Sequence, residues 1–440
     1  MSAIARFFVQ NGIEVWGYDK TATPLTDVLA DEGVKGIYFE DREEVIPNEI
    51  INGNAEHTVI VYTPAIPESN QIFRRLKASK IPIFKRAEML GLITQNTKNL
   101  SVAGTHGKTT TSCMLTHLLH EAKIPFDAFL GGIATNYNSN YISTSTTDGG
   151  ISITEADEYD RSFLQLRPSI AGITSMDADH LDIYGRADDV KSGFVEFANC
   201  VVNDGLLFYQ YSQKESLQAL QRQSKSYGID HGEIQANNVR IANGSFFFDY
   251  RGDIEMTGLE LGLPGIHNVE NAVLAISMAL EVGVNENSIR EALRNFKGVK
   301  RRFEFIRKSD NKVFIDDYAH HPTEIRSTLQ SIKMLYPNKH LTVVFQPHLY
   351  SRTRDFMNDF AIELSQVDEL ILLPIYPARE EPIEGINSNA LLNQIKCDGS
   401  LVEKRDLVDY LKSKNIEVLV TLGAGDIDQL IEPLKCELEW

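Results

Sequence analysis

The 440-residue chain is poor in cysteine, in positive charge and in long apolar runs. Its four cysteines, Cys113, Cys200, Cys397 and Cys436, stand far apart, with no CxxC pair and no histidine at metal-ligand spacing. That excludes a disulfide scaffold and a cysteine-held zinc site, and fits free thiols in a reducing compartment. Lys and Arg number 43 against 61 Asp and Glu, a formal net charge of −18. A general nucleic-acid or anionic-membrane binder needs the opposite field, so both classes are excluded, while anionic small molecules stay open wherever cations cluster locally. No apolar run reaches the roughly 18 residues of a membrane-spanning helix. The opening residues Met1-Ser2-Ala3-Ile4-Ala5-Arg6-Phe7-Phe8 lack the apolar core and cleavage site of a secretory leader. Internal repeats, low-complexity linkers and a GxGxxG motif are also missing, and the last absence disfavours a redox Rossmann enzyme. The expectation is a cytoplasmic, globular protein, in keeping with 42% hydrophobic and 24% charged residues.

What is present is an alternation of short β-branched runs with helix-period segments, the pattern of α/β units on parallel sheets. Leu100–Ala103, Ile170–Thr174, Lys312–Ile315, Leu341–Phe345 and Glu417–Leu422 read as strands. At roughly 150 residues per domain the length predicts two or three domains. Boundaries are expected near 95 and near 298, at Lys297-Gly298-Val299, with a β-rich insert over 205–262 typified by Gly244–Tyr250. The first segment runs helix (Ile4, Phe7, Phe8), strand (Glu14–Gly17), acid (Asp19), with no strand and Gly-rich turn ahead of them. Either this is a different fold that begins with a helix, or the first strand and glycine loop of a dinucleotide-type fold are missing from the chain.

Gly104-Thr105-His106-Gly107-Lys108-Thr109-Thr110-Thr111 carries the most information. It follows an apolar strand and precedes a helix with Leu115, Leu118, Leu119 and Ala122 on one face. Two glycines let the backbone approach phosphate, amides and the helix N-terminus supply partial positive charge, Lys108 can reach the terminal phosphates and Thr109 can ligate Mg²⁺. Val102 stands where a full Walker A motif needs glycine, so this is a shorter GxxGKT variant, read as an ATP site. Two acidic clusters follow predicted strands: Glu155-Ala156-Asp157-Glu158 and Asp177-Ala178-Asp179-His180. Ligands of open α/β sheets collect at carboxyl ends of strands, so Glu155 and His180 are candidate metal ligands, although histidine is unusual for Mg²⁺ and both residues have a plainer reading as loop residues. In Gly265–Asn271, His267, Asn268 and Asn271 share a helix face. Their amides match the edge of adenine, and N-capping by Asn268 is the competing reading. Toward the C-terminus, Asp317-Tyr318-Ala319-His320-His321-Pro322 and Gln346-Pro347-His348-Leu349-Tyr350-Ser351-Arg352-Thr353-Arg354 follow strands, and Lys300-Arg301-Arg302 lies at the junction. The arginines are the local cations an acidic protein needs for anionic ligands, or else a solvated face, and the histidine pair is a site or a helix-start turn.

Together these motifs, in this order and over essentially the whole chain, resemble the Mur ligases. The Asp-Tyr-x-His-His-Pro and Gln-Pro-His-x-Tyr-Ser-Arg-Thr stretches are similar to the branch that joins L-alanine to UDP-N-acetylmuramate through an acyl phosphate, consuming ATP with Mg²⁺, in peptidoglycan precursor synthesis. The resemblance implies a three-domain α/β fold. A Rossmann-like UDP-sugar domain would span 1–95, a central P-loop ATPase α/β domain with a β-rich insert 96–298, and a Rossmann-like domain delivering the amino acid 299–440. Residue by residue it implies that Gly104, Thr105, His106, Gly107, Lys108, Thr109 and Thr110 hold the phosphates, that Thr109, Glu155 and His180 hold the metal, and that His267, Asn268 and Asn271 meet the adenine. Arg302 would reach the γ-phosphate and Asp317 the ribose. Tyr318, His320, His348 and Arg352 would form the alanine pocket, and Asp19 and Ser69 would face the uridine part.

Three departures from the family pattern are expected to matter. Met1-Ser2 matches an internal Met-Ser of the family, which favours a missing diphosphate-binding loop. Leu349 replaces a common arginine, leaving Arg352 to clamp the amino acid's carboxylate. Position 195 is Val, with Lys191 out of register, so no carbamylated lysine is expected. His320 or His321 is the candidate base for the amine. Closure of the third domain over the second is expected, because phosphate and acceptor come from different domains. The competing functions are the related ligase that attaches a recovered tripeptide, and a nucleotide-binding homologue impaired in catalysis.

Overall fold

The structure, a computed structural model, describes residues 1–51, 57–145, 150–177, 186–242, 245–309, 311–378, 380–438 and 440. His180 lies outside the described residues. The chain divides into two compact units, Met1–Asn237 with Tyr250–Met256 and Glu270–Ala292, and Asn238–Asp249 with Thr257–Val269 and Leu293–Trp440.

Early in the first unit, β1 (Trp16–Tyr18) pairs in parallel with β2 (Gly36–Tyr38), and β3 (Ile60–Tyr62) with β4 (Ile83–Lys85), as two separate two-stranded sheets. The order helix, strand, acid is as read: Ser2–Gln10 is helical and Asp19 follows β1 directly. The rest of the unit is built on β5 (Lys98–Ala103), β6 (Phe126–Ala134), β7 (Ser139–Ser143), β8 (Ile151–Ala156), β9 (Ile170–Ile173), β10 (Leu206–Gln210) and β11 (Gln223–Ile229). These lie in the order β7-β6-β8-β5-β9-β10-β11, parallel except for the β6–β7 hairpin. The stretch read as a β-rich insert begins inside this sheet, since β10 and β11 are parallel members of it. β12 (Ile234–Ala242), β13 (Ser245–Arg251) and β14 (Glu255–Leu261) then continue the strand order past β11.

Strands covered on both faces read as nearly continuous apolar runs, and β5 shows it: from Asn99 to Ala103 every residue is buried. The polar members are paired inside, with Asn99 Nδ2 donating to Ser152 Oγ (2.9 Å) and Ser101 Oγ hydrogen-bonded to Thr154 Oγ1 (2.7 Å). Ala3, Ile4, Met89 and Leu90 belong to the same buried cluster as Phe163, Phe194 and Phe197. The N-terminal segment is therefore seated on the central sheet's own core.

The second unit carries β15 (Glu304–Lys308), β16 (Val313–Asp317), β17 (Leu341–Phe345), β18 (Glu369–Leu372), β19 (Asp398–Leu401) and β20 (Val418–Leu422). Their order is β15-β16-β20-β17-β18-β19, parallel except for the edge pair β15–β16. Its core gathers Phe314, Val344, Ile371, Leu407, Leu419 and Leu434, with Trp440 stacked on Phe314 at 5.2 Å. Among the described residues no helix is long and apolar enough to cross a membrane.

Two predictions follow from the packing of the first unit. Gly91 lies within the helix Arg86–Thr94, and a Cβ there would meet the backbone carbonyl oxygen of Gln165 at 2.6 Å. Alanine normally stabilises a helix by about 0.5–1 kcal/mol over glycine. Here overpacking against backbone wins, and Gly91→Ala is expected to lower stability by about 1–3 kcal/mol in denaturant melts. His117, buried on the helix Lys108–Glu121, shares a proton with Tyr137 OH at 2.7 Å, and burial lowers its imidazole from 6.5 to about 4. The unfolded chain takes up a proton between those values and the folded one does not, so this term is present above pH 6.5 and lost as pH falls toward 4. Comparing melts at pH 7 and pH 5, His117→Gln should lose less stability than the parent by roughly 2 kcal/mol.

Candidate active site

In the first unit the site grows from the carboxyl ends of β5, β8 and β9. Gly104 leaves β5 at φ +137°, and a Cβ there would overlap Thr174 Oγ1 and lie 2.8 Å from the Ser175 amide, so only glycine passes. The loop is laid over the segment after β9. Thr105 N donates to Ser175 O (3.2 Å), Thr105 Oγ1 to Asp177 O (3.0 Å), His106 N to Ser175 Oγ (2.9 Å) and Thr174 Oγ1 to His106 O. Gly107, at φ +82°, is the N-cap of the helix Lys108–Glu121, and its hypothetical Cβ would stand 2.6 Å from Asn271 Oδ1. Asn271 is thus at the loop itself.

Lys108 folds back over this loop, donating to Gly104 O (2.6 Å) and Thr105 O (3.4 Å) and pairing with Glu158 at 2.8 Å. Glu158 is 2% exposed, and burial raises its carboxyl against the pull of Lys108. Thr109 Oγ1 donates to Glu155 Oε1 (2.9 Å), and Glu155 Oε2 accepts from Gly131 N (2.9 Å). Parallel register sets Glu155 beside Val102, so the carboxylate of β8 reaches the threonine that follows the lysine. Thr109 and Glu155 form a hard-oxygen pair, the donor type that Mg²⁺ takes. Asp157 and Asp160, on the same strand exit, pair with Arg86 (3.1 Å) and Lys85 (2.9 Å). Asp160 and Arg161 are consecutive left-handed residues, at φ +52° and +54°, which turn the chain sharply there.

Farther along the first unit, Asp19 is exposed, with Oδ1 accepting from Thr21 N, and Ser69 is exposed. Their chain neighbours meet, since Asn70 Nδ2 donates to Tyr18 OH (3.2 Å), which brings the two substrate candidates into one neighbourhood.

In the second unit, Gly265 precedes the helix Ile266–Leu280 at φ +116°. Asn268 Nδ2 donates to Pro264 O (2.5 Å), and His267 Nδ1 is buried with no hydrogen-bond partner among the described residues. Burial lowers His267 to about 4, so at neutral pH it is an uncharged imidazole. Arg302 is flanked by the left-handed residues Arg301 (φ +60°) and Phe303 (φ +48°), which send successive side chains apart. Arg301 turns to Asp316 (3.1 Å), whereas Arg302 makes no side-chain hydrogen bond or ion pair among the described residues. Asp317 already accepts from Phe303 N (3.0 Å), Ala319 N (2.8 Å) and Thr328 Oγ1 (3.0 Å), leaving about one of a carboxylate's four acceptor positions for a ligand. Burial pushes this carboxyl up to about 6 in spite of those donors.

Tyr318, His320, His348 and Arg352 do come together. Ring centroids are 5.2 Å apart for Tyr318–His320 and 6.1 Å for His320–His348, and Arg352 Nη1 lies 3.4 Å from His348 Nδ1. A guanidinium only donates, so His348 Nδ1 is the acceptor and its proton sits on Nε2. Burial lowers His348 to about 4, which keeps it neutral. His320 Nδ1 lies 2.9 Å from Tyr318 O, which can only accept, so Nδ1 carries a proton, and it also lies 3.5 Å from the Glu324 carboxylate. The adjacent histidine is spent on structure. His321 Nδ1 accepts from Thr323 N as N-cap of the helix Pro322–Leu335, with Glu324 completing the capping box.

Sequence reasoning passed over two residues. Glu158 was inside a quoted motif but received no role, and nothing in the sequence marked its pairing with Lys108. Tyr376, stacked on His348 at 5.7 Å, had no motif to mark it.

Comparison with known proteins accords with this geometry. The model of the Mur ligase family catalytic domain matches residues 1–98, that of the Mur ligase middle domain 102–279, and that of the Mur ligase glutamate ligase domain 301–426. The chain is 48% identical over 438 residues to a UDP-N-acetylmuramate–L-alanine ligase of Christiangramia forsetii, covering 99% of this chain and 94% of that one. It is also 48% identical over 442 residues to the same-named ligase of Flavobacterium psychrophilum, covering 100% and 96%. Among solved structures, a UDP-N-acetylmuramate-alanine ligase from Thermotoga maritima superposes with a TM-score of 0.81 at 26% identity, covering 99% of this chain and 95% of that one. A murein peptide ligase from Psychrobacter arcticus shares the fold, with a TM-score of 0.70 at 21% identity and coverage of 99% and 95%. Three family models laid end to end and near-full-length relatives at this identity leave one assignment: with its three-domain α/β architecture, the chain belongs to the Mur ligase family.

Proposed function

We propose that this chain is an ATP-dependent ligase that joins L-alanine to the carboxylate of UDP-N-acetylmuramate in peptidoglycan precursor synthesis. The observation that carries the reading is the seating of Lys108, Thr109 and Glu155 at adjoining strand ends around a glycine loop that tolerates no side chain. The relatives' shared name supplies the substrates.

A carboxylate and an amine do not condense in water, since hydroxide leaves poorly and the amine is largely protonated. Phosphorylation supplies the missing leaving group. The muramate carboxylate oxygen attacks the ATP γ-phosphorus, ADP departs, and the acceptor becomes an acyl phosphate. The amides at the helix N-terminus, from Gly107 to Thr110, and Lys108 neutralise the charge that builds on the transferring phosphoryl group, while Gly104, Thr105 and His106 shape the loop that holds it. Arg302, unengaged by other side chains, adds a second cation. Thr109 and Glu155 suit Mg²⁺, which supplies further charge neutralisation when bound, and His180 is assigned to the same ion from the sequence. His267, Asn268 and Asn271 hold the adenine, and Asp317 has one acceptor position for the ribose. Alanine enters beside Tyr318 and His348, its carboxylate on Arg352. His320 Nε2 removes the ammonium proton, the free amine attacks the acyl carbon, and phosphate leaves with the oxygen that came from the muramate. Asp19 and Ser69 face the uridine part.

Domains follow the same division of labour: sugar nucleotide on 1–95, ATP on 96–298 and alanine on 299–440. The reaction belongs in the cytoplasm, where ATP is available.

With purified protein, ADP release should require both UDP-N-acetylmuramate and L-alanine. An assay in which L-Ala-γ-D-Glu-meso-diaminopimelate replaces L-alanine with equal effect would favour the tripeptide ligase, and tight ATP binding without turnover would favour a non-catalytic module. Lys108→Met should cut kcat by about two to three orders of magnitude. His320→Gln should depress kcat most at the lower end of pH 6–9, where free amine is scarcest. An unchanged kcat over that range would remove His320 from the proton transfer.

A further inference from the structure

The phosphate-loop lysine is not idle in this structure. Its ammonium has three N–H donors, and three acceptors lie around it: Gly104 O at 2.6 Å, Thr105 O at 3.4 Å and the Glu158 carboxylate at 2.8 Å. Two of these belong to the loop that cradles the phosphates. The third is a carboxylate 2% exposed, on the same strand exit as Glu155, three residues farther on. The Lys108 side chain is itself 13% exposed, so little water screens the pair. A phosphate oxygen can gain a direct bond from this ammonium only by displacing one of the three. The carbonyls are fixed by the loop's own hydrogen bonds to Thr174 and Ser175, leaving the carboxylate as the partner whose charge competes with the incoming anion.

We infer that Glu158 is a positioning residue, an internal counter-ion that holds Lys108 over the phosphate loop and competes with the nucleotide's phosphates for its ammonium. The inference rests on the reading of Lys108 as the phosphate lysine. Two consequences follow from the same geometry. Parking lowers nucleotide affinity, because binding must break or share a buried ion pair. It also aims the lysine, because the ammonium is held at the mouth of the loop instead of swinging through the rotamers of a long side chain. The left-handed pair Asp160–Arg161 just beyond, with Asp160 and Asp157 tied to Lys85 and Arg86, fixes the strand exit so that Glu158 keeps its place.

The test is calorimetric titration of ATP with Mg²⁺ in the absence of acceptor, against the parent protein, Glu158→Gln, Lys108→Met and the double variant. Glu158→Gln keeps the shape and removes the charge. It is expected to bind ATP about tenfold tighter and, in the full reaction, to turn over more slowly, so affinity and kcat move in opposite directions. A merely structural role would weaken both. In the Lys108→Met background the same substitution should leave ATP affinity unchanged, because its effect acts through the ammonium. Glu158→Gln with unchanged or weaker ATP binding, or an equal effect with and without Lys108, overturns the inference. Failure of the underlying reading looks different: Lys108→Met would then bind ATP as tightly as the parent.

Discussion

The first unit depends on one close approach, the glycine loop after β5 lying directly on the segment that leaves β9. There is no room for a Cβ at Gly104, and each polar group of Thr105 and His106 that could face inward is bonded to Thr174, Ser175 or Asp177. Because the loop cannot move sideways, the helix that starts at Lys108 points its amides at one place, and Thr109 falls within 2.9 Å of the carboxylate on the next strand. Sheet order then does the rest. β8 and β9 flank β5 in parallel, so the acid after one and the polar segment after the other reach the same edge.

The second unit solves a different problem with similar means. It gathers ring and guanidinium groups at the carboxyl ends of its strands. Two histidines meet there, His348 with Nδ1 against the Arg352 guanidinium and His320 with Nδ1 against the Tyr318 carbonyl. The turn that carries His320 is held by the Asp317 carboxylate, which accepts from the Ala319 amide within it and is itself fixed by the Phe303 amide and the Thr328 hydroxyl.

Much of this was legible in the sequence, and for identifiable reasons. Strands buried on both faces, such as Lys98–Ala103 and Leu341–Phe345, announce themselves as apolar runs, and the motifs sit where those runs stop. The glycine loop after β5 was readable because two glycines and a following helix stand at fixed spacing. Less legible was whatever depends on a partner distant in sequence. Glu158, for example, is paired with a lysine 50 residues away. The stretch over 205–262 read as an insert because aromatics and glycine mark local β structure, whereas β10 and β11 extend the parallel sheet. Spacing could not separate an adenine-facing reading of Asn268 and Asn271 from N-capping by Asn268, and the place of Asn271 against Gly107 is a tertiary fact.

If a phosphoryl group passes to the muramate before the amide forms, an oxygen must pass the other way. Carrying ¹⁸O in the muramate carboxylate and analysing the released phosphate by mass spectrometry tests this most directly. The account predicts one labelled oxygen in each phosphate formed from labelled carboxylate oxygens. Phosphate released at the same rate without label would contradict it.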